Sequence, residues 1–182
     1  MKISKIAALA KKEKDISIFS AHGMQWASLR SAVYPLYSVP FIKDAEGLLT
    51  IFDVPPVEWD QWKVSFGCCE HSDELCVREL SHEEAVMRPM PFGLVLGGDS
   101  ITVFDNGVMV KTKFLSPCDK ITAVTAGRGF VRVFDGTYLS AAIYQYMPTP
   151  QMLDEVIPFM GYLQHLREQL QYEEQMNINM ED

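Results

Sequence analysis

The sequence predicts an α+β fold, an antiparallel sheet of hairpins packed by an N-terminal helix and a long C-terminal helix. Three observations predict it. Short alternating apolar runs separated by glycine turns recur at 16–30, 92–114 and 129–146. Stretches at 2–14 and 149–175 instead carry apolar residues at helical spacing. A hydrophobic fraction of 48% in 182 residues supplies material for a core, so residues 1–182 are read as one domain.

Ile3, Ile6, Leu9 and Ala10 form the apolar stripe of the first helix, and lysines fill its other faces. Its uncharged core, Ile6 to Ala10, is too short for a secretory signal, which predicts an amphipathic helix in a cytoplasmic protein. Ile16–Phe19 and Gln25–Arg30 read as strands joined at His22-Gly23. Tyr34-Pro35-Leu36-Tyr37 and Val39-Pro40 are expected to break regular pairing, because proline lacks the N–H that a ladder needs. Glu46–Phe52 reads as a short helix that ends before Pro55-Pro56.

Residues 44–91 form the least regular segment. Within it, Trp62–Phe66 reads as a strand, and Ser81-His82-Glu83-Glu84 resembles a capping box. The hairpin-rich half, 92–147, is clearer. Leu94–Leu96 and Ile101–Phe104 flank a turn at 97–100, and Asp105-Asn106-Gly107 predicts a type I′ hairpin before a strand over 108–114. Ser116 reads as an N-cap with Pro117 at the first helical position. A second hairpin joins Gly129–Phe134 to Tyr138–Tyr146. Val-Phe-Asp occurs before both turns, at 103–105 and 133–135, which reads as shared turn chemistry, with a remnant of duplication as the alternative. Leu153, Val156, Ile157, Met160, Leu163, Leu166 and Leu170 make the apolar face of the terminal helix over 149–175.

Charge is segregated along this plan. Residues 44–84 hold eleven acids against Lys63 and Arg78, a net of -9, whereas residues 1–43 are net +5 and the whole chain is -8. Such a field attracts basic surfaces; a solvated face that serves solubility is the plainer alternative. The acids Asp53, Glu58, Asp60, Glu70, Asp73, Glu74, Glu79, Glu83 and Glu84 are the candidate partner-binding pool, with Trp59 and Trp62 as aromatic anchors. The plainer reading, and the favoured one, is that both tryptophans cap the core. Direct nucleic-acid binding would need clustered bases, offered by Lys2, Lys5, Lys11, Lys12 and Lys14 and by Lys111, Lys113, Arg128 and Arg132. Overall acidity argues against a dominant role of that kind.

Catalytic signatures are missing from the sequence: it has no Gly-x-Ser-x-Gly elbow, no phosphate loop and no His-Glu-x-x-His. Cys68, Cys69, Glu70, His71, Cys76 and His82 are metal-ligand types, but paired Cys-x-x-Cys knuckles are lacking, so no metal or other cofactor and no enzymatic activity are expected. Reduced thiols are the expected state. No apolar run reaches the length of a membrane span.

Gln25-Trp26, Ala32-Val33-Tyr34-Pro35-Leu36-Tyr37, Leu48-Leu49-Thr50-Ile51-Phe52-Asp53-Val54-Pro55 and the Gly97-Gly98 turn resemble a family of small proteins carried by phages and mobile elements of Firmicutes. A member of similar size is a type II-A anti-CRISPR that inhibits Cas9. The resemblance implies inhibition by stoichiometric binding to Cas9 or to its guide-RNA complex, without catalytic residues. A basic protein with phosphate-holding channels is a fitting target for concentrated acids. The alternative is a non-enzymatic interaction or regulatory accessory of a phage or mobile element.

Overall fold

In a computed structural model, the lysine-rich N-terminal stretch folds as helix α1 (Ile3–Glu13), whose buried face is Ile6, Ala7, Leu9 and Ala10. The structure describes residues 2–37, 39–67, 69, 72–76, 80, 85–152, 154, 158 and 161, with backbone alone at Ser72 and Asp73. Lys11 and Lys12 in the last turn complement the helix dipole, and Lys14 closes the helix in the left-handed conformation.

The chain then lays down strands β1 (Asp15–Ala21), β2 (Met24–Leu29) and β3 (Ala32–Pro35) as a meander. The first hairpin has a two-residue loop, His22-Gly23, with both residues at positive φ, which matches the twist of the flanking strands. The expected break at Pro35 is corrected. Pro35 ends β3 opposite Trp26, and the N–H of Leu36 continues the pairing by donating to Gln25 O at 2.9 Å. Helix α2 (Ala45–Ile51) starts at Asp44, whose carboxylate accepts from Gly47 N–H at 2.8 Å. It stops with Asp53 at positive φ, while Val54 and Asp53 donate back to Leu49 O and Thr50 O. Pro55-Pro56 then leads into a 3-10 turn over Pro56–Gln61.

Strand β4 (Lys63–Gly67) returns beside β1 in parallel, which corrects the expectation of a wholly antiparallel sheet. A parallel neighbour requires a crossover, and the segment carrying α2 supplies it. Helix α3 (Ser72–Leu75) follows. Strands β5 (Pro89–Leu96), β6 (Asp99–Phe104) and β7 (Met109–Lys111) form a separate three-stranded sheet. The Asp105-Asn106-Gly107 loop is not type I′. Only Gly107 has positive φ, and its N–H donates to Phe104 O at 2.9 Å, so the turn has three residues with glycine in the left-handed position.

Two more expectations change beyond this hairpin. Residues 112–115 curl into a 3-10 turn, and Ser116 caps its C-terminal end, so the expected strand to Phe114 and helix from Ser116 do not form. Strand β8 (Ala123–Ala126) was not anticipated; β9 (Phe130–Asp135) and β10 (Tyr138–Tyr144) are the expected hairpin. The large sheet has the order β4-β1-β2-β3-β10-β9-β8, so β3 and β10 join the two halves of the chain.

Both faces of this sheet are covered. Ile16, Ile18, Ala27, Leu29, Val131, Val133 and Ile143 pack with α1, α2 and the small sheet's Phe104 and Val110. Phe19, Trp26, Val33, Phe130, Phe134, Leu139 and Ala142 pack on the opposite face with Leu75 and Cys76. Tyr34 is buried, and its hydroxyl donates to Phe114 O at 2.7 Å. Burial raises its pKa far above the ordinary 10.0, so the neutral phenol stabilises the fold fully below pH 10 and that stability is lost as pH rises beyond it. Tyr34→Phe is expected to cost about 1–2 kcal/mol at neutral pH and to flatten the alkaline decline of stability; urea titrations between neutral and alkaline pH check both.

The chain divides into Met1–Tyr146 and Met147–Asp182. In the second unit the backbone is helical at 150–152, 154, 158 and 161, and the rest of the expected helix over 149–175 lies outside the described residues. The capping box at Ser81 also lies outside them.

Candidate functional site

Among the described residues, the acidic segment is divided between the two faces of the large sheet. Its first part, through the 3-10 turn, lies on the α1/α2 face, where Leu48, Leu49, Phe52 and Val54 enter the core. Of its later part, the described residues belong to the other face, where Leu75 and Cys76 are buried and Cys69 and Leu80 pack at the margin. Strand β4 runs between the two at the sheet edge. Asp53, Glu58 and Asp60 therefore share one face, and Glu74 belongs to the other. Asp73 is in α3, with its side chain outside the described residues, and Glu70, Glu79, Glu83 and Glu84 lie outside them altogether.

The first group meets the basic N-terminal helix. Lys14 Nζ is 3.9 Å from Glu58 and also donates to Gln61, while Lys11 Nζ donates to the backbone oxygen of Asp53 at 2.7 Å. Charge that is segregated along the sequence is thus partly compensated in space. The same holds for other basic candidates: Lys2 pairs with Asp119 at 3.1 Å, and Lys111 and Lys113 grip Asp99 at 2.7 and 3.4 Å. The Lys111 hydrogen bond holds the Asp99 carboxyl below its usual range. Each neutralised lysine weakens the case for a phosphate-binding surface.

Trp59 and Trp62 are half-buried against the core. The Trp59 indole donates to Val54 O at 2.9 Å, and the buried Trp62 indole nitrogen meets no acceptor among the described residues. What the turn presents outward is different: Asp53 and Asp60 are exposed, and Val57 between them is 86% exposed. Val57 was not among the sequence candidates. Its signal was local, since two prolines before it fix a tight turn whose side chains cannot all face inward.

Among the described cysteines, Cys76 is buried, Cys69 and Cys118 are half-buried, and no disulfide joins them. Burial pushes the Cys118 thiol up to about 12, which removes it as a nucleophile at neutral pH. No group of three metal-ligating side chains converges among the described residues; Cys68, Glu70, His71 and His82 lie outside them. No helix among the described residues is long and apolar enough to cross a membrane. The fold defines an α+β protein with two sheets. Compared with known proteins, the chain matches no family model, no curated protein and no solved structure.

Proposed function

We propose that this chain is an anti-CRISPR protein that inhibits Cas9 by stoichiometric binding, without catalysis, and blocks target binding or cleavage. The observation that carries the reading is the 3-10 turn over Pro56–Gln61, which holds exposed Val57 between exposed Asp53 and Asp60 on a rigid core. An apolar tip flanked by carboxylates suits a basic protein groove that otherwise holds phosphates. The likeness of the Leu48–Pro55 stretch to the phage-borne family supports the same target. Glu58, Trp59 and Trp62 support the turn from behind, and Glu70, Asp73, Glu74, Glu79, Glu83 and Glu84 remain in the proposed contact pool.

A double variant tests the electrostatic part. Asp53→Asn keeps a residue that tolerates positive φ, and Asp60→Asn removes the second charge. With Glu74→Gln added, Cas9 affinity is expected to fall about tenfold, at roughly 0.5 kcal/mol per exposed charge, with a shallower salt dependence. Comparing Asp53→Asn/Asp60→Asn with Glu74→Gln alone tells which face meets the partner. Affinity unchanged in all three would remove the acidic residues from the interface. Val57→Arg is expected to weaken binding on its own if the turn is the contact.

A further inference from the structure

We infer that the outer edge of β4 pairs with β4 of a second copy of this chain, across a two-fold axis at Ser65. Two sheets present four edges. Three are defended. The β8 edge is covered by the Val86–Thr125 bridge and by Met87 N–H on Val124 O at 2.7 Å. Strand β5 carries Pro89 and Pro91 and an interrupted register. Strand β7 has three residues, and Met109 O already accepts from Tyr146 N–H at 2.8 Å. Proline, brevity, covering segments and edge lysines are devices by which edges avoid pairing, and of these β4 has only Lys63. Strand β4 has five residues, no proline, and no partner on its outer side among the described residues.

The direction of its backbone groups fixes the register. Lys63 N–H donates inward to Lys14 O at 2.8 Å, so Lys63, Ser65 and Gly67 face β1 while Val64 and Phe66 turn their N–H and C=O groups outward. An antiparallel second copy centred on Ser65 sets Val64 opposite Phe66 of the other copy, and these residues exchange both backbone hydrogen bonds. Lys63 then faces Gly67, so no like charges oppose, and Lys63 is held by Asp15 at 3.6 Å. The side chains agree with this. Phe66 is 43% exposed and Phe41 is 68% exposed, and both line one open cavity of about 500 Å³. Self-pairing brings Phe66 of each copy onto Val64 of the other on that face. Phe66 against Val64 on both sides of the axis, with no like charges opposed, is the match that a second copy supplies, and the inference stands independently of the Cas9 reading.

Sedimentation equilibrium of the full chain is expected to give twice the 20.6 kDa chain mass at micromolar concentration. Val64→Pro removes an outward N–H and spares the β1 ladder; Ser65→Lys opposes two ammonium groups at the axis. Each is expected to halve the mass with an unchanged circular dichroism spectrum. Ser65→Cys, with Cys68 and Cys69 replaced by serine, is expected to cross-link on oxidation, because paired Cα atoms at such a position lie about 4.5 Å apart. Lys63→Cys is expected not to. The Ser65→Cys result decides the matter if the proline or lysine variant fails to fold. A monomer up to about 100 µM, a dimer insensitive to both substitutions, or equal cross-linking of the two cysteine variants would overturn the inference. So would a monomer whose Val64→Pro variant loses Cas9, which would assign the edge to a foreign strand.

Discussion

Trp26→Ala is expected to destabilise the protein by about 3–5 kcal/mol and to lower its melting temperature by roughly 10 °C. Trp26 is fully buried at the centre of the sheet face that α3 covers, stacked on Phe19 with ring centroids 6.5 Å apart. Its indole also donates to Ala21 O at 3.0 Å, within the first hairpin. Truncation opens a cavity that Phe130, Phe134 and Leu139 cannot fill without leaving their own packing. Trp26→Phe keeps most of the apolar contact and loses the hydrogen bond, so about 1–2 kcal/mol is expected for it. Chemical denaturation of the three proteins checks the order. An alanine variant within 1 kcal/mol of the parent, on the scale of about 1 kcal/mol for an average substitution, would mean that this face is not a packed core.

The second large effect is expected at Gln25→Leu, a change that conserves side-chain volume. Gln25 is buried in β2, and its amide clamps the backbone of Ile42: Nε2 donates to Ile42 O at 2.8 Å, and Oε1 accepts from Ile42 N–H at 2.7 Å. The side chain thus replaces a strand partner for a segment that pairs with no strand among the described residues. Leucine would leave both Ile42 groups buried without partners, at a cost of about 2–4 kcal/mol. The loss is local as well as global. The Ile42 amide is expected to lose hydrogen-exchange protection ahead of the β2 amides, and the segment containing Phe41 and Lys43 to become sensitive to protease. Gln25→Glu sharpens the test. A carboxylate still accepts from Ile42 N–H but repels Ile42 O, and protonation restores the donor. Its stability is therefore expected to recover toward acid pH relative to the parent, whereas that of Gln25→Leu is not.

Local pattern made much of this fold legible. The helix at the N-terminus, the hairpin around His22-Gly23 and the helix before Pro55 were all readable because each depends on neighbours within a turn or two. The misreadings share a cause in partners distant along the chain. Pro35 looked like a break because its missing N–H is visible in sequence, while the Leu36 N–H that continues the ladder is defined only by Gln25 across the sheet. Strand β8 is Ala-Val-Thr-Ala, whose two alanines give little strand signal. The parallel place of β4 follows from the crossover, which alternation does not encode. Thr112–Leu115 has strand composition, yet buried Phe114 is turned inward where its carbonyl meets Tyr34.

The candidate site divides in the same way. The acids were countable in the sequence, but their distribution over two sheet faces was not, because it depends on the chain passing around the β4 edge. Their neutralisation was also hidden: Lys14 and Glu58 are far apart in sequence and 3.9 Å apart in space. Of the candidate acids on the α2 face, Asp53 and Asp60 are exposed on either side of exposed Val57, a smaller surface than the eleven-acid segment.

The central claim is that this protein binds Cas9 stoichiometrically. Size-exclusion chromatography of the purified chain mixed with Cas9, with and without guide RNA, tests it most directly. Co-elution as a stable complex, with target cleavage falling in proportion to added protein until Cas9 is saturated, is the expected result. Separate elution in both mixtures, together with undiminished cleavage at molar excess, would contradict it.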